Sequence, residues 1–139
     1  MIYESDENRE KQSRCAWVLE HMGFEVKESS TLAHWDFAIR VNGQPYALAE
    51  HKGREDRQYD PYYIDVGKVD PLIDEAAKHG VQPALIVEWP DIGGYWWWNA
   101  HKGCATREFT RTKPRGVAGE TPDRPDLVYM IPISEFRQL

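Results

Sequence analysis

Three residues in the first half of the sequence have the types and the spacing of a metal-dependent hydrolytic site. Thirteen residues separate Asp36 from Glu50, and one residue separates Glu50 from Lys52. Side chains two positions apart on a strand lie on the same face, so Glu50 and Lys52 would share a face and His51 would lie on the other. Two carboxylates and an amine on one face suit a hard divalent cation such as Mg²⁺ or Mn²⁺.

Each of the three residues has a chemical role at such a site. Asp36 and Glu50 are candidate metal ligands, and water and phosphate oxygens would complete the coordination. The metal would lower the pKa of a bound water and stabilise charge on a phosphate group. Lys52 could orient or deprotonate that water, or stabilise the developing negative charge. The same pattern also fits a solvated strand edge at which Glu50 and Lys52 form a salt bridge.

A β-hairpin is predicted to bring the three residues together. The sequence predicts a strand, a turn and a second strand in succession, over residues 36–41, 42–43 and 46–52. The turn is Asn42-Gly43, the strongest short-range hairpin signal. Because the two ends of a hairpin lie side by side, Asp36 is expected close to Glu50 and Lys52.

The remaining elements follow from the spacing of apolar residues. Helical spacing predicts helices over residues 4–22 and 68–79, and shorter apolar runs predict strands over 24–27, 84–89, 95–98 and 127–131. Residues 53–66 and 99–125 are predicted loops, and a short helix is expected from residue 133 onward. The predicted order is α-β-β-β-α-β-β, a long loop, then β-α.

Length and composition narrow the class of protein. The 139 residues fit a single domain over 1–139, and a chain of this length can bury a core without disulfides. The net charge of −6 argues against broad coating of nucleic acid, but a bound cation reverses the local field at a carboxylate site. No apolar run approaches the roughly 20 residues of a membrane span, so no membrane partner is expected. The polar first ten residues predict no signal peptide, and therefore a cytoplasmic location.

Over about residues 4–98 the sequence resembles the PD-(D/E)xK nuclease superfamily. The resemblance consists of an acidic first helix followed by the segments DFAI, NG, AEHKGR, GKVDPLIDEAA, ALIVEW and YWWW. It implies an α/β, restriction-endonuclease-like fold: an α-β-β-β-α-β core whose mixed sheet is flanked by helices. It also implies that Asp36 and Glu50 are metal ligands and that Lys52 is the catalytic lysine. Trp35 stands where the superfamily often has proline, which is a common departure.

The resemblance further implies a glutamate from the first helix. The candidates are Glu4, Glu7 and Glu10. At 100° per residue, Glu4 falls on the apolar face of the helix, Glu7 at its edge and Glu10 on the opposite side. Gln12 also lies on a plausible face. We select Glu7 as the catalytic candidate; a solvated first helical turn, favoured by the helix dipole, is the alternative.

Basic residues outside the hairpin are candidate nucleic-acid contacts. They are Lys68, Arg54, Arg57, Arg111, Lys113 and Arg115. Lys68 lies at the start of a predicted helix, where a phosphate is favoured, and the last three belong to the most basic part of the chain. For each of them, an ordinary solvated charge is the alternative. Trp96, Trp97 and Trp98 are expected mainly in the core, with a base-stacking or partner surface as the alternative.

These patterns support two classes of function. The first is a DNA endonuclease that requires Mg²⁺ or Mn²⁺ and hydrolyses phosphodiester bonds by attack of activated water. The second is a non-catalytic interaction or inhibitor protein on a nuclease-like fold. A homodimer is also considered, with the Trp-rich strand as its interface. The histidines lack HExxH spacing, which argues against a zinc hydrolase.

Overall fold

A six-stranded mixed sheet organises the computed structural model, which describes residues 6–29, 33–54, 56–57, 60–111 and 124–139. The side chains of residues 6, 109–111, 124 and 125 are outside this description. The helices are α1 (Asp6–His21) and α2 (Val66–Lys78). The strands are β1 (Glu25–Glu28), β2 (Phe37–Val41), β3 (Gln44–Gly53), β4 (Tyr62–Asp65), β5 (Gln82–Trp89), β6 (Gly94–Asn99), β7 (Thr106–Arg111), β8 (Arg124–Ile131) and β9 (Arg137–Gln138).

The large sheet has the strand order β1-β2-β3-β5-β6-β9. Strands β3 and β5 are parallel and α2 lies between them in sequence, while every other neighbouring pair is antiparallel. The core predicted from sequence, α-β-β-β-α-β with a mixed sheet flanked by helices, is therefore present. The parallel pair brings the carboxyl ends of β3 and β5 to the same edge of the sheet.

Alternate residues of the central strands face opposite helices. On the α1 side, Ala47 and Ala49 of β3 belong to the same buried cluster as Cys15 and Leu19 of α1. On the α2 side, Leu48 packs with Leu72 and Ala76 of α2. Strand β3 is therefore covered on both faces, which explains why its middle is a continuous apolar run.

The hairpin between β2 and β3 has the predicted turn. Asn42 and Gly43 both have positive φ angles, 50° and 75°, as a type I′ turn requires. A register shift between Ile39 and Arg40 leaves Tyr46 of β3 as the extra residue of a β-bulge, and from Ile39–Ala47 to Phe37–Ala49 the pairing is regular. The turn therefore sets the direction of the hairpin, and the regular pairs beyond the bulge set the register at its open end.

A second, three-stranded sheet corrects several sequence predictions. Its order is β4-β8-β7. The predicted loop over 53–66 contains β4, and the predicted loop over 99–125 contains β7 and the first residues of β8. The strand predicted at an edge over 127–131 is the middle strand of this sheet. The predicted terminal helix is a three-residue 3₁₀ turn, Ile133–Glu135, and β9 follows it and pairs with β6.

The tryptophans of β6 are mainly in the core, as expected from the sequence. Trp97 packs on the α1 side and is 3% exposed, while Trp98 packs on the α2 side and is 2% exposed. Trp96 is half-buried, and its indole N–H donates to the carbonyl of Ile92 at 3.2 Å. Trp97 and Trp98 are therefore occupied by core packing and leave little apolar surface exposed on β6.

Candidate active site

Asp36 lies against the end of β3, where the hairpin was expected to place it. Its backbone N–H donates to the carbonyl of Ala49 at 2.8 Å. The backbone N–H of His51 in turn donates to Asp36 Oδ2 at 2.7 Å. These two bonds hold the Asp36 carboxylate beside Glu50, because Glu50 is the residue between the two partners.

Glu50 and Lys52 form a close pair on one face of β3. Lys52 Nζ is 3.2 Å from Glu50 Oε1, and the side chains are 26% and 12% exposed, respectively. His51 is on the other face, 6.2 Å from the ring of Phe37 and 6.4 Å from that of Tyr95, measured between ring centroids. The alternation inferred from the one-residue gap is therefore the arrangement in the structure.

The side chain of His51, which lies between Glu50 and Lys52 in sequence, is uncharged at neutral pH. Burial, and then the positive charges of Lys52 and Arg14, lower the pKa of His51 to about 4. Its ring is consequently neutral, and it adds no positive charge behind Asp36 and Glu50.

A cleft of about 460 Å³ opens over Asp36, Glu50 and Lys52. The residues that line it come from α1, the approach to β2, the end of β3 and the first turn of α2: Asn8, Lys11, Gln12, Ala33, His34, Trp35, Asp36, Glu50, His51, Lys52, Gly53, Arg54, Gly67 and Lys68. Two carboxylates lie among four cationic side chains on these walls. Such a cleft suits a negatively charged substrate that is bound together with a cation.

The donor set fits a hard cation that keeps part of its water shell. In the described part of the chain, His, Cys, Asp and Glu side chains do not gather in threes around a point that could hold a metal ion. Two carboxylates nevertheless suffice for Mg²⁺, which is commonly bound by one or two carboxylates, with waters and substrate phosphates as its other ligands. Asp36 and Glu50 provide that number.

The structure does not place Glu7 in the cleft. Its side chain is 75% exposed, and Glu7 Oε1 lies 3.5 Å from Lys11 Nζ. Glu10 is also exposed, and Glu4 lies outside the described residues. The side chains that α1 contributes to the cleft are those of Asn8, Lys11 and Gln12. They lie one helical turn or less apart, so they form a single stripe along α1.

Sequence reasoning missed Lys11, although a signal for it exists. Lys11 precedes the fully buried Cys15 by four residues, and residues four apart lie on the same face of a helix. Extending the apolar stripe of Cys15 and Leu19 toward the N-terminus leads to Lys11 and Asn8. The first half of α1 has no apolar residue that would mark this stripe directly.

Two predicted nucleic-acid contacts line the cleft. Lys68 is exposed in the first turn of α2 and lines the cleft. The helix starts two residues earlier than predicted. Asp65 caps it, because the Asp65 carboxylate accepts a hydrogen bond from the N–H of Gly67 at 2.8 Å. Arg54 donates to the hydroxyl of Tyr62 at 3.1 Å, and its guanidinium lies 5.8 Å from the centroid of that ring. Tyr62 therefore orients Arg54 at the rim.

The other predicted contacts are not part of the cleft as the structure describes it. Arg57 is exposed, and its backbone N–H donates to the carboxylate of Asp91 at 3.0 Å. Arg111 ends β7, where its backbone pairs with Arg124, and its side chain is outside the description. Lys113 and Arg115 lie outside the described residues.

The order of elements, with Asp36 before β2 and Glu50 and Lys52 at the end of β3, defines the class of PD-(D/E)xK nuclease-like domains. The model of one protein family, described as "Phage putative PDDEXK endonuclease", matches residues 1–139. The chain therefore belongs to this family. The resemblance noted from the hairpin motifs is confirmed.

Among solved structures, the chain is similar in fold to Hjc, a Holliday junction resolvase from the archaeal hyperthermophile Archaeoglobus fulgidus. The TM-score is 0.58 at 18% sequence identity, and the match covers 68% of this chain and 73% of that chain. This likeness confirms the restriction-endonuclease-like fold. The curated proteins contain no significant match. Neither α1 nor α2, the helices within the described residues, is long and apolar enough to cross a membrane.

Proposed function

We propose that this protein is a metal-dependent endonuclease that hydrolyses phosphodiester bonds of DNA in the cleft between α1 and α2. The observation that carries the proposal is the position of Asp36, Glu50 and Lys52 together on the floor of a cleft with cationic walls. Membership of an endonuclease family supports the reaction class. A solvated, purely structural ion pair would not require the cleft above it.

Asp36 and Glu50 are the proposed ligands of Mg²⁺ or Mn²⁺. The N–H of His51 keeps one Asp36 oxygen fixed, and Glu50 is mostly shielded from solvent, so both carboxylates are held in place before a cation arrives. When bound, the ion supplies Lewis acidity and lowers the pKa of water.

Lys52 is the proposed catalytic lysine. Its ammonium lies 3.2 Å from Glu50 and faces the same cleft. In that position it can donate hydrogen bonds to a phosphate oxygen and stabilise negative charge that develops during hydrolysis. It can also hold the attacking water in line with the phosphorus.

Lys68 and Arg54 are proposed to hold the DNA backbone at the rim of the cleft. The N-terminal turn of α2 adds a favourable dipole for a phosphate near Lys68. Arg57, Arg111, Lys113 and Arg115 stay proposed contacts on the sequence argument alone.

The test is cleavage of a DNA panel by the purified 139-residue chain. Supercoiled, linear, single-stranded and four-way-junction DNA, with RNA beside them, are incubated with Mg²⁺, Mn²⁺ or EDTA. The four-way junction is included because the solved structure of similar fold is described as a Holliday junction resolvase. We expect cutting with either metal and none in EDTA.

Two variants are run beside the wild-type protein. Lys52→Ala should lose at least about 100-fold in rate, as for removal of one group that stabilises developing charge. Lys78→Ala is the matched control, because Lys78 is 73% exposed in the last turn of α2, away from the cleft. Equal cutting by wild type and Lys52→Ala would reject the site, and no cutting of any substrate by folded protein would favour the non-catalytic interaction or inhibitor protein.

A further inference from the structure

Lys11 is the cationic residue of the cleft that the proposed reaction does not use. It projects from α1, its side chain is 25% exposed, and it lines the wall opposite the first turn of α2. A lysine that is three-quarters buried is not an ordinary surface charge, because lysines are seldom buried to this extent without a partner.

The stem of Lys11 packs directly over the backbone of Gly53. A Cβ placed on Gly53 would lie 3.0 Å from Lys11 Cδ, closer than ordinary van der Waals contact. Gly53 does not need a glycine for its turn geometry, since it is a strand residue without a positive φ. The missing side chain at position 53 is therefore what lets the lysine lie along the end of β3.

Among the described residues, the ion pair that Lys11 forms with Glu7 is weak and replaceable. Glu7 Oε1 is 3.5 Å away on the same helix, and its side chain is 75% exposed. Exposed pairs of this type contribute little to stability, because solvent screens the charges and the long side chains lose rotamer freedom. A phosphate that enters the cleft offers a stronger, charge-assisted hydrogen bond at no large cost in broken contacts.

We infer that Lys11 binds a backbone phosphate of the substrate from the α1 wall, across the cleft from Lys68, and that Gly53 makes this position accessible to the ammonium. The substrate class, a nucleic-acid strand, is taken from the proposed function. Lys11 is then a binding residue that positions the strand over Asp36 and Glu50. The two walls together would hold the backbone on either side of the bond that is cut.

The experiment measures DNA binding by fluorescence anisotropy in EDTA, so that no cleavage occurs, over a series of salt concentrations. Lys11→Met keeps most of the apolar stem and removes the charge. We expect its dissociation constant to rise roughly tenfold at low salt, and the slope of log K against log[salt] to become shallower by about 0.9 for duplex DNA.

The matched control is Lys78→Met. Lys78 also pairs with a glutamate of its own helix, at 3.7 Å, but lies at the far end of α2. Its slope should equal that of wild type. An unchanged slope for folded Lys11→Met would overturn the inference and leave Lys11 a packing residue.

A second variant tests the role of Gly53. Gly53→Ala should displace the flexible Lys11 side chain rather than the backbone, and should weaken binding in the wild-type background. In a Lys11→Ala background, which has no Cδ to displace, the same substitution should have no further effect. Equal weakening in both backgrounds would contradict the role assigned to Gly53.

Failure of this inference can be told apart from failure of the proposed function. A protein that cuts DNA but whose binding does not depend on Lys11 would retain the nuclease and lose the Lys11 contact. A protein that binds DNA through Lys11 but cuts no substrate would retain the contact and lose the nuclease.

Discussion

At the scale of single residues, Glu50 and Lys52 form a pair that is largely shielded from solvent and still faces the cleft. Only 12% of the Glu50 side chain is exposed, and Lys52 is the cation beside it. Removing one member of such a pair leaves a poorly solvated charge, whereas a bound divalent cation would compensate Glu50 equally well. Lys52 therefore balances the charge of Glu50 when no metal is bound, and a bound cation can take over that role.

Glu50→Ala should weaken Mn²⁺ binding about tenfold or more, because one of the two proposed protein ligands is lost. Isothermal titration calorimetry of the purified chain measures this directly. Glu75→Ala is a suitable control, since Glu75 is a helical glutamate that pairs with Lys78 and does not line the cleft. Unchanged affinity in Glu50→Ala would remove Glu50 from the metal shell.

Glu7→Gln should leave the cleavage rate within about twofold of wild type, since the lost surface pair is worth under about 1 kcal/mol. DNA binding should be equal or slightly tighter, because Lys11 loses a competitor for phosphate. Rates from single-turnover assays and affinities from anisotropy give the two values. A large loss of metal-dependent cleavage would restore Glu7 as the glutamate implied by the superfamily.

The floor of the site was predictable because it depends on local rules. The one-residue gap between Glu50 and Lys52 and the Asn42-Gly43 turn specify a shared face and a hairpin, and both are seen. The helical wall was not predictable in the same way. The polar first half of α1 carries no apolar residues, so its rotation is set by packing further along the helix, at Cys15 and Leu19.

At the scale of elements, a hydrogen bond joins the small sheet to α2. The hydroxyl of Tyr129 in β8 donates to Asp70 Oδ1 in α2 at 2.6 Å. Burial, and then the Asp70 carboxylate, raise the pKa of Tyr129 to about 12. Because α2 also supplies Lys68, this bond helps to hold one wall of the cleft.

Tyr129→Phe should lower the free energy of unfolding at pH 7 by about 1.5–3 kcal/mol, the range for a hydrogen bond to a charged group. Urea denaturation followed by circular dichroism measures the change. Equal stability of the two proteins would show that the bond contributes nothing.

The same tyrosine predicts a loss of stability at alkaline pH. Its pKa is higher in the folded chain than the ordinary value of 10, so the neutral form favours folding. This contribution is fully present below pH 10 and is lost as the pH rises toward 12. Over that range, wild type should lose more stability than Tyr129→Phe in urea titrations; parallel losses would contradict the assignment.

The elements that sequence reasoning missed are those stabilised mainly by pairing. Strand β7 has exposed side chains at Thr106, Arg107 and Glu108, and its backbone is ordered by the ladder with β8. Strand β4 has only four residues, with Tyr62 and Ile64 buried, which is too short for a clear period-two pattern. The helices α1 and α2, the hairpin and β5 carry longer patterns, and these were predicted correctly.

At the scale of the whole molecule, the charge distribution opposes the net charge. The chain has a net charge of −6, yet the cleft walls carry four cationic side chains. They are Lys11, Lys52, Arg54 and Lys68. DNA should therefore be attracted to the cleft and repelled by most of the remaining surface.

For a short duplex, the slope of log K against log[salt] should be about −2.7 to −3.6, as for release of counterions at three or four phosphates. Anisotropy titrations from low to physiological salt measure it. A slope near −7 would instead indicate further contacts, for which Arg111, Lys113 and Arg115 are the candidates.

The homodimer stays a prediction, and so does the Trp-rich strand as its interface. Trp97 and Trp98 are buried, while Trp17, Met22 and Leu127 are large apolar side chains that are 46% to 59% exposed. Light scattering of the free protein and of its DNA complex would give the mass in each state.

The turn at Asn42-Gly43 makes the hairpin tip a site for a reporter group. Both residues are exposed. The bulge between Ile39 and Arg40 shifts the strand pairing between this turn and the pair formed by Phe37 and Ala49. The five residues of β2 span about 17 Å at roughly 3.3 Å per residue. A fluorophore carried on an inserted residue at the tip would therefore lie within energy-transfer range of labelled DNA in the cleft, and the insertion should leave the pairing of Phe37 with Ala49, next to the acidic residues, unchanged.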